Sequence, residues 1–196
     1  MPETPTTDAA SADPAAEPES SPGEPPSGSP PLPRPGLHIA FEPAVPDVDP
    51  PAAGWLEGQL RRAAAICGVR AGSLAVTLID DAQMSRLHAE HCGDPSTTDV
   101  LTFDLSERGL GPHAVDGDLV VCRDEAVRQA AVRSRGHDAR TEILLYAVHG
   151  MLHLLGEDDQ TPEAYEQMHR REDEIFAALG LGAVFAAETN QSGGDA

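Results

Sequence analysis

Beyond residue 36 the chain alternates between two hydrophobic periods, one suited to strands and one to helices. Leu37 to Phe41 (LHIAF) and Leu74 to Ile79 (LAVTLI) are short runs rich in apolar and β-branched residues and read as strands. Between them, Trp55, Leu56, Leu60 and Ile66 recur at helical spacing over Trp55 to Ile66, and Gly68 stops that helix. Asp80 or Asp81 serves as the N-cap of a helix running to about His91, with Met84 and Leu87 on its inner side. The turn-rich Gly93-Asp94-Pro95-Ser96 follows. Asp99 to Leu105 (DVLTFDL) and Asp118 to Cys122 (DLVVC) then read as two strands that can pair across a Gly/Pro loop. From Arg123 onward the pattern is helical, over Arg123 to Arg135, Ala139 to Leu155 and Pro162 to Leu179. The last helix has Thr161 as its cap, Pro162 in its first position and Gly180 at its end, and repeats Tyr165, Met168, Glu172, Ile175, Phe176 and Leu179 along one side. No internal repeat occurs. The order predicts an α/β (α+β) fold, with one small mixed β-sheet packed by about five helices.

Composition changes this picture mainly at the N-terminus. Of the 18 prolines, 15 fall within residues 1–51, alongside nine acids, a single arginine and few large apolar residues. Such a stretch cannot bury a core, so residues 1–36 are expected to form a disordered, acidic Pro/Ala/Ser/Glu-rich tail. Residues 37–187 then form one domain, and residues 188–196 a disordered C-terminus. The net charge of -20 is spread over both parts, and the chain has no lysine. A field of that sign repels phosphate backbones, so a nucleic-acid partner has to be held by a local arginine patch or a metal. Cys67, Cys92 and Cys122 are odd in number and lack CxxC spacing, which argues for small buried thiols rather than disulfides or a zinc ribbon. The start of the chain has neither a basic region nor an apolar one, and no apolar run approaches the roughly 18 residues of a membrane span. A soluble, cytoplasmic protein with no membrane partner is expected.

The chemistry concentrates in Val148 to Asp159, VHGMLHLLGEDD. His149 and His153 lie four apart on a helix, so both imidazoles leave one face and can share a metal ion. Gly156 can turn the chain back and deliver a third ligand from the loop. The order His, His at +4, Gly at +7 and Asp at +10 follows the metzincin spacing H-E-x-x-H-x-x-G-x-x-H with two changes. Gly150 replaces the catalytic Glu, which makes an ordinary peptidase unlikely because the usual general base is gone. Asp159 replaces the last His. A carboxylate is a sound third ligand, and three protein ligands leave a fourth position for water. Asp158 is also within reach by spacing; Asp159 is preferred by the +10 match. Two imidazoles and a carboxylate also suit iron(II) or manganese(II).

These residues resemble the YbeY family, bacterial endoribonucleases of ribosomal RNA maturation with the signature H-G-x-L-H-L-x-G-aromatic-D-H. His149, Gly150, Leu152, His153, Leu154, Gly156 and Asp158 match in order, with Glu157 in place of the aromatic residue and Asp159 in place of the third histidine. Thr98-Asp99-Val100-Leu101-Thr102-Phe103 is similar to the family's T-D-V-L-S-F. Gly117-Asp118-Leu119-Val120-Val121, followed by Glu125-Ala126-Val127-Arg128-Gln129-Ala130, is similar to its G-D-I-x-I and E-A-x-x-Q-A. The resemblance covers roughly Leu37 to Gly180. A family arginine six residues before the threonine of the T-D-V-L block is Cys92 here.

The resemblance implies a zincin-like metal-binding helix and a zinc-dependent, single-strand-specific endoribonuclease acting in 16S rRNA 3'-end maturation and ribosome quality control. His149, His153 and Asp159 would bind one zinc ion per chain and act through that metal and its water. Thr98 and Asp99, at the start of a strand, are candidates for orienting RNA. Arg123, Arg128, Arg133, Arg135 and Arg140 against three acids form the one locally basic segment, with Arg128 and Arg135 as candidate phosphate contacts. His88, His91, His137 and His169 lack partners at ligand spacing and read as surface or packing residues. The ribosomal small subunit or its assembly factors are the implied partners. The alternative is a ribosome-assembly binding protein that keeps the fold and metal without cleaving RNA, a reading favoured by Cys92 and Asp159.

Overall fold

Nine elements follow one another in the computed structural model, which describes residues 36–45, 50–106, 111, 113–132 and 138–185. They are β1 (Leu37–Pro43), α1 (Pro50–Ile66), β2 (Ala71–Ile79), α2 (Asp81–Cys92), β3 (Val100–Asp104), β4 (Ala114–Cys122), α3 (Arg123–Val132), α4 (Ala139–Leu154) and α5 (Pro162–Leu179). Of the stretches expected to be disordered, residues 1–35 and 188–196 lie outside the described residues, as do Arg133, Arg135 and His137.

The strands form one mixed sheet in the order β1-β2-β4-β3. β1 runs parallel to β2, with Ile39 opposite Leu74, and β2 parallel to β4, with Val76 opposite Leu119. β3 is antiparallel to β4, with Leu101 opposite Val120, so the two predicted strands do pair. The fold is the expected α/β arrangement of a small mixed sheet with five helices.

Strand alternation divides the apolar residues between the two faces. Leu74, Val76, Leu78, Val115, Leu119 and Val121 face the main core, built with Leu56 and Leu60 of α1 and with α4 and α5. Ile79 and Cys122 face the other way and meet Met84 of α2 and Leu101 in a smaller cluster. α4 is apolar nearly all round, as a helix enclosed by other elements must be. Eleven of its residues are buried, including Glu142.

Several expectations shift in detail. α1 begins at Pro50, β2 at Ala71 and β4 at Ala114, each earlier than its apolar pattern suggested, because backbone pairing and helical bonding extend past the residues that face the core. Ile66, expected on the inner side of α1, is 39% exposed, and the small Ala63 and Ala64 are buried in its place. Asp80, not Asp81, caps α2 in a reciprocal capping box with Gln83. Among the cysteines only Cys122 is buried; Cys67 is half-buried and Cys92 exposed, and all three are free.

Candidate metal centre

The central helix α4 starts where Asp138 accepts the Thr141 N–H at 2.9 Å. Its position over the sheet depends on two glycines. A Cβ on Gly150 would stand 2.7 Å from Leu119 Cδ2 and 2.9 Å from Thr102 Oγ1, and one on Gly117 would stand 2.7 Å from both Leu154 Cδ1 and the Phe103 carbonyl. The residue after the first histidine therefore faces the sheet so closely that any larger side chain would force Leu119 and Thr102 to shift. The missing glutamate of the metzincin pattern is thus a consequence of packing: Gly150 is held against β3 and β4, away from the histidine face.

On that other face, His149 and His153 place their Nε2 atoms 3.0 Å apart with the rings nearly perpendicular. α4 ends as Glu157 N–H bonds back to the Leu152 carbonyl at 3.0 Å, with Gly156 at φ 90°. That left-handed conformation is cheap only for glycine. Asp158 Oδ1 then accepts the N–H groups of Asp159 at 2.8 Å and of Gln160 at 3.2 Å, folding the loop tightly. This turn carries the Asp159 carboxylate to the histidines, with Oδ2 3.6 Å from His149 Nε2 and Oδ1 3.8 Å from His153 Nε2. One ligand atom from each of the three lies within 4.8 Å of the others. Asp158 is occupied as the turn's acceptor, and Asp159 is the acid brought to the pair.

Donor chemistry at this point fits a cation. Both Nδ1 atoms have acceptors, His149 with Glu172 Oε1 at 2.8 Å and His153 with the Glu157 carbonyl at 3.0 Å. Hydrogens at both Nδ1 positions leave two Nε2 lone pairs and a carboxylate converging on one place, a combination that repels unless positive charge sits between. Bonds of about 2.0–2.1 Å in a tetrahedral shell set ligands roughly 3.3 Å apart, and the observed separations lie on either side of that. The side chains of His149, His153 and Asp159 are 20%, 29% and 31% exposed, so the group is open to solvent on one side. Burial opposes the charged form of His149, but the Glu172 carboxylate, aided by Asp99 and Asp159, outweighs it and raises the pKa above its ordinary value.

Thr98 and Asp99 lie just before β3, and the Asp99 carboxylate acts on His149 through its charge. Together with Thr97, Glu125, Gln129 and Tyr146 they line a polar pocket of about 400 Å³. Thr98 Oγ1 donates to Asp99 Oδ1 at 3.1 Å, and the same oxygen accepts the Val100 N–H at 2.8 Å, so Asp99 is fixed at the entrance to β3. Arg128 is paired with Asp81, at 2.8 Å from Nη2 to Oδ1, and with Glu125 Oε2 at 2.7 Å. Arg123 meets Asp124 and Arg140 meets Asp138. The locally basic segment is thus laced with carboxylates that its linear charge count does not place. Arg135 lies outside the described residues. Among the other described histidines, His88 Nδ1 lies 2.9 Å from the Ser96 carbonyl, His91 packs against Phe103, and His169 sits between Tyr165 and Phe185.

Glu172 is the residue that the sequence reading passed over. It was one member of an apolar repeat on α5, and its charge among Met168, Ile175, Phe176 and Leu179 was the available signal. Only the packing of α5 on α4 shows that it meets His149.

The family described as "Endoribonuclease YbeY" matches residues 52–180. The chain is 39% identical over 129 residues to Endoribonuclease YbeY of Symbiobacterium thermophilum, covering 61% of this chain and 81% of that one. To Endoribonuclease YbeY of Moorella thermoacetica it is 37% identical over 131 residues, covering 62% and 83%. A Thermotoga maritima protein solved in solution aligns with a TM-score of 0.46 at 21% identity, over 82% of this chain and 99% of that one. With its matched segment spanning α1 to the end of α5 and holding the whole His149, His153 and Asp159 group, the chain belongs to the endoribonuclease YbeY family.

Proposed function

We propose that this protein is a zinc-dependent endoribonuclease that hydrolyses phosphodiester bonds in single-stranded RNA, acting on 16S ribosomal RNA during 3'-end maturation and in ribosome quality control in the cytoplasm. The observation that carries the reading is the convergence of His149, His153 and Asp159 within a segment that matches an endoribonuclease family. Three protein ligands with an open fourth side are the arrangement of a catalytic rather than a structural zinc site. A divalent ion held there supplies Lewis acidity toward a phosphoryl oxygen.

The protein's own groups do the rest. Glu172 and the Glu157 carbonyl hold the two imidazoles with Nε2 turned toward Asp159. Thr98 and Asp99 orient the RNA strand in the pocket they share with Tyr146, and Asp99 lies close enough to His149 to act on it through charge. Arg128 and Arg135 are the proposed phosphate contacts, and Arg128 reaches a phosphate by exchanging one of its carboxylate partners, since its side chain is 47% exposed.

The test is cleavage of a single-stranded RNA by the zinc-loaded protein beside an identically purified His153→Ala variant. Cleavage by the wild type alone is the expected result. A folded, zinc-bound wild type that leaves both free RNA and the assembling small subunit's RNA intact would remove the nuclease reading. The second reading, a ribosome-assembly binding protein that retains the metal fold, draws on a specific observation: Arg128 is committed to two carboxylates, and Cys92 stands where the family resemblance leads one to expect an arginine.

A further inference from the structure

We infer that Glu172 is a positioning residue of the metal centre, a buried carboxylate on α5 that fixes and strengthens His149 as a ligand. The inference rests on the metal-site reading above and deepens it. Glu172 is 1% exposed and is the one charged residue among the buried positions of α5, whose others are Met168, Ile175, Phe176 and Leu179. A residue with a purely packing role there would be apolar, because burying a carboxylate costs several kcal/mol unless positive charge and hydrogen bonds offset it.

Hydrogen bonding alone does not offset that burial. Oε1 receives the His149 Nδ1–H at 2.8 Å, while Oε2 is buried with no hydrogen-bond partner among the described residues. The remaining compensation comes through the imidazole, and a divalent ion held by His149 at the opposite nitrogen would supply it. The carboxylate in turn holds the hydrogen at Nδ1, aims Nε2 at Asp159 and makes that nitrogen a better electron donor.

The two histidines are not equivalent in this respect. His153 Nδ1 faces a neutral backbone carbonyl at 3.0 Å, whereas His149 Nδ1 faces a full negative charge. α5 thereby joins the site although it contributes no ligand. Its register on α4 sets how His149 is held.

Zinc titration of the full-length chain against a chromophoric chelator tests this, using wild type, Glu172→Gln, Glu172→Leu and, as a site control, His153→Ala. Visible absorption of cobalt(II) bound to each variant reports the geometry of the ligands. Glu172→Gln is expected to bind zinc about 10-fold more weakly and Glu172→Leu up to about 100-fold. A role confined to packing predicts zinc affinity and a cobalt spectrum unchanged from the wild type. That result in either variant would overturn the inference while leaving the metal site standing. If the folded wild type binds neither ion, the metal-site reading fails as well, and the two failures are told apart by the wild-type titration.

Discussion

At the scale of single residues, the site is set by which atoms are already engaged. Asp158 and Asp159 are chemically identical neighbours, yet Asp158 Oδ1 holds two backbone N–H groups while Asp159 reaches the histidines. Asp159→Ala is therefore expected to lower the metal content per chain, measured by elemental analysis after dialysis. Asp159→His should keep it, and Asp158→Ala should reduce it less than Asp159→Ala. Retention of full metal by Asp159→Ala with loss in Asp158→Ala would reverse this ligand assignment. Gly150 provides a second residue-scale prediction. Gly150→Ala places a methyl group 2.7 Å from Leu119 Cδ2 and should destabilise the fold by about 1–3 kcal/mol through overpacking, read from urea unfolding. The histidine pair, the turn glycine and the acid at +10 were legible in the sequence because helical spacing and glycine's conformational freedom are local properties. Glu172 was not legible as a partner of His149, because 23 residues separate them and only helix packing joins them.

Among the elements, the helices matched their patterns to within a residue or two where a cap marked the end. Thr161 accepts Ala164 N–H at the start of α5, and Gly180 closes it at φ 82°. Where no cap marked the boundary, as at the starts of β2 and β4, backbone pairing decided it. α2 and α3 are tied together by ion pairs that no periodicity announces. Arg128 holds the Asp81 carboxyl below the usual carboxylate range by direct hydrogen bonding, and Asp124 accepts the Asp81 N–H at 3.1 Å. A depressed folded-state pKa means stabilisation that is present above the unfolded aspartate value of about 3.9 and lost as pH falls through the folded value. Asp81→Asn should accordingly be less stable than wild type near neutral pH, by about 1 kcal/mol or less given the pair's exposure, and the two curves should converge in acid. A difference that persists unchanged at low pH would assign the effect to something other than this charge pair.

For the molecule as a whole, the centre draws on α4, the loop after it and α5, with Thr98 and Asp99 presented at the entrance to β3, all within the segment that matches the family. Among the described residues no helix is long and apolar enough to cross a membrane. Removing residues 1–35, while keeping the Gly36 carbonyl that accepts Gly72 N–H at 3.2 Å, is expected to leave metal content and the unfolding midpoint unchanged. Loss of metal on truncation would tie the acidic N-terminal stretch to the site. By itself the sequence determined the α/β class, the approximate elements and the three candidate ligands, because each depends on spacing within one element and its adjoining turn. The tertiary structure decided what Gly150 packs against, which aspartate meets the histidines, which arginines are already paired, and that a buried glutamate on another helix stands behind His149. The Gly150 packing, the Arg128–Asp81 pair and the glutamate depend on contacts between segments distant in the chain, which arise only when the sheet and helices pack, whereas the choice of aspartate depends on how the short loop after α4 folds back onto that helix.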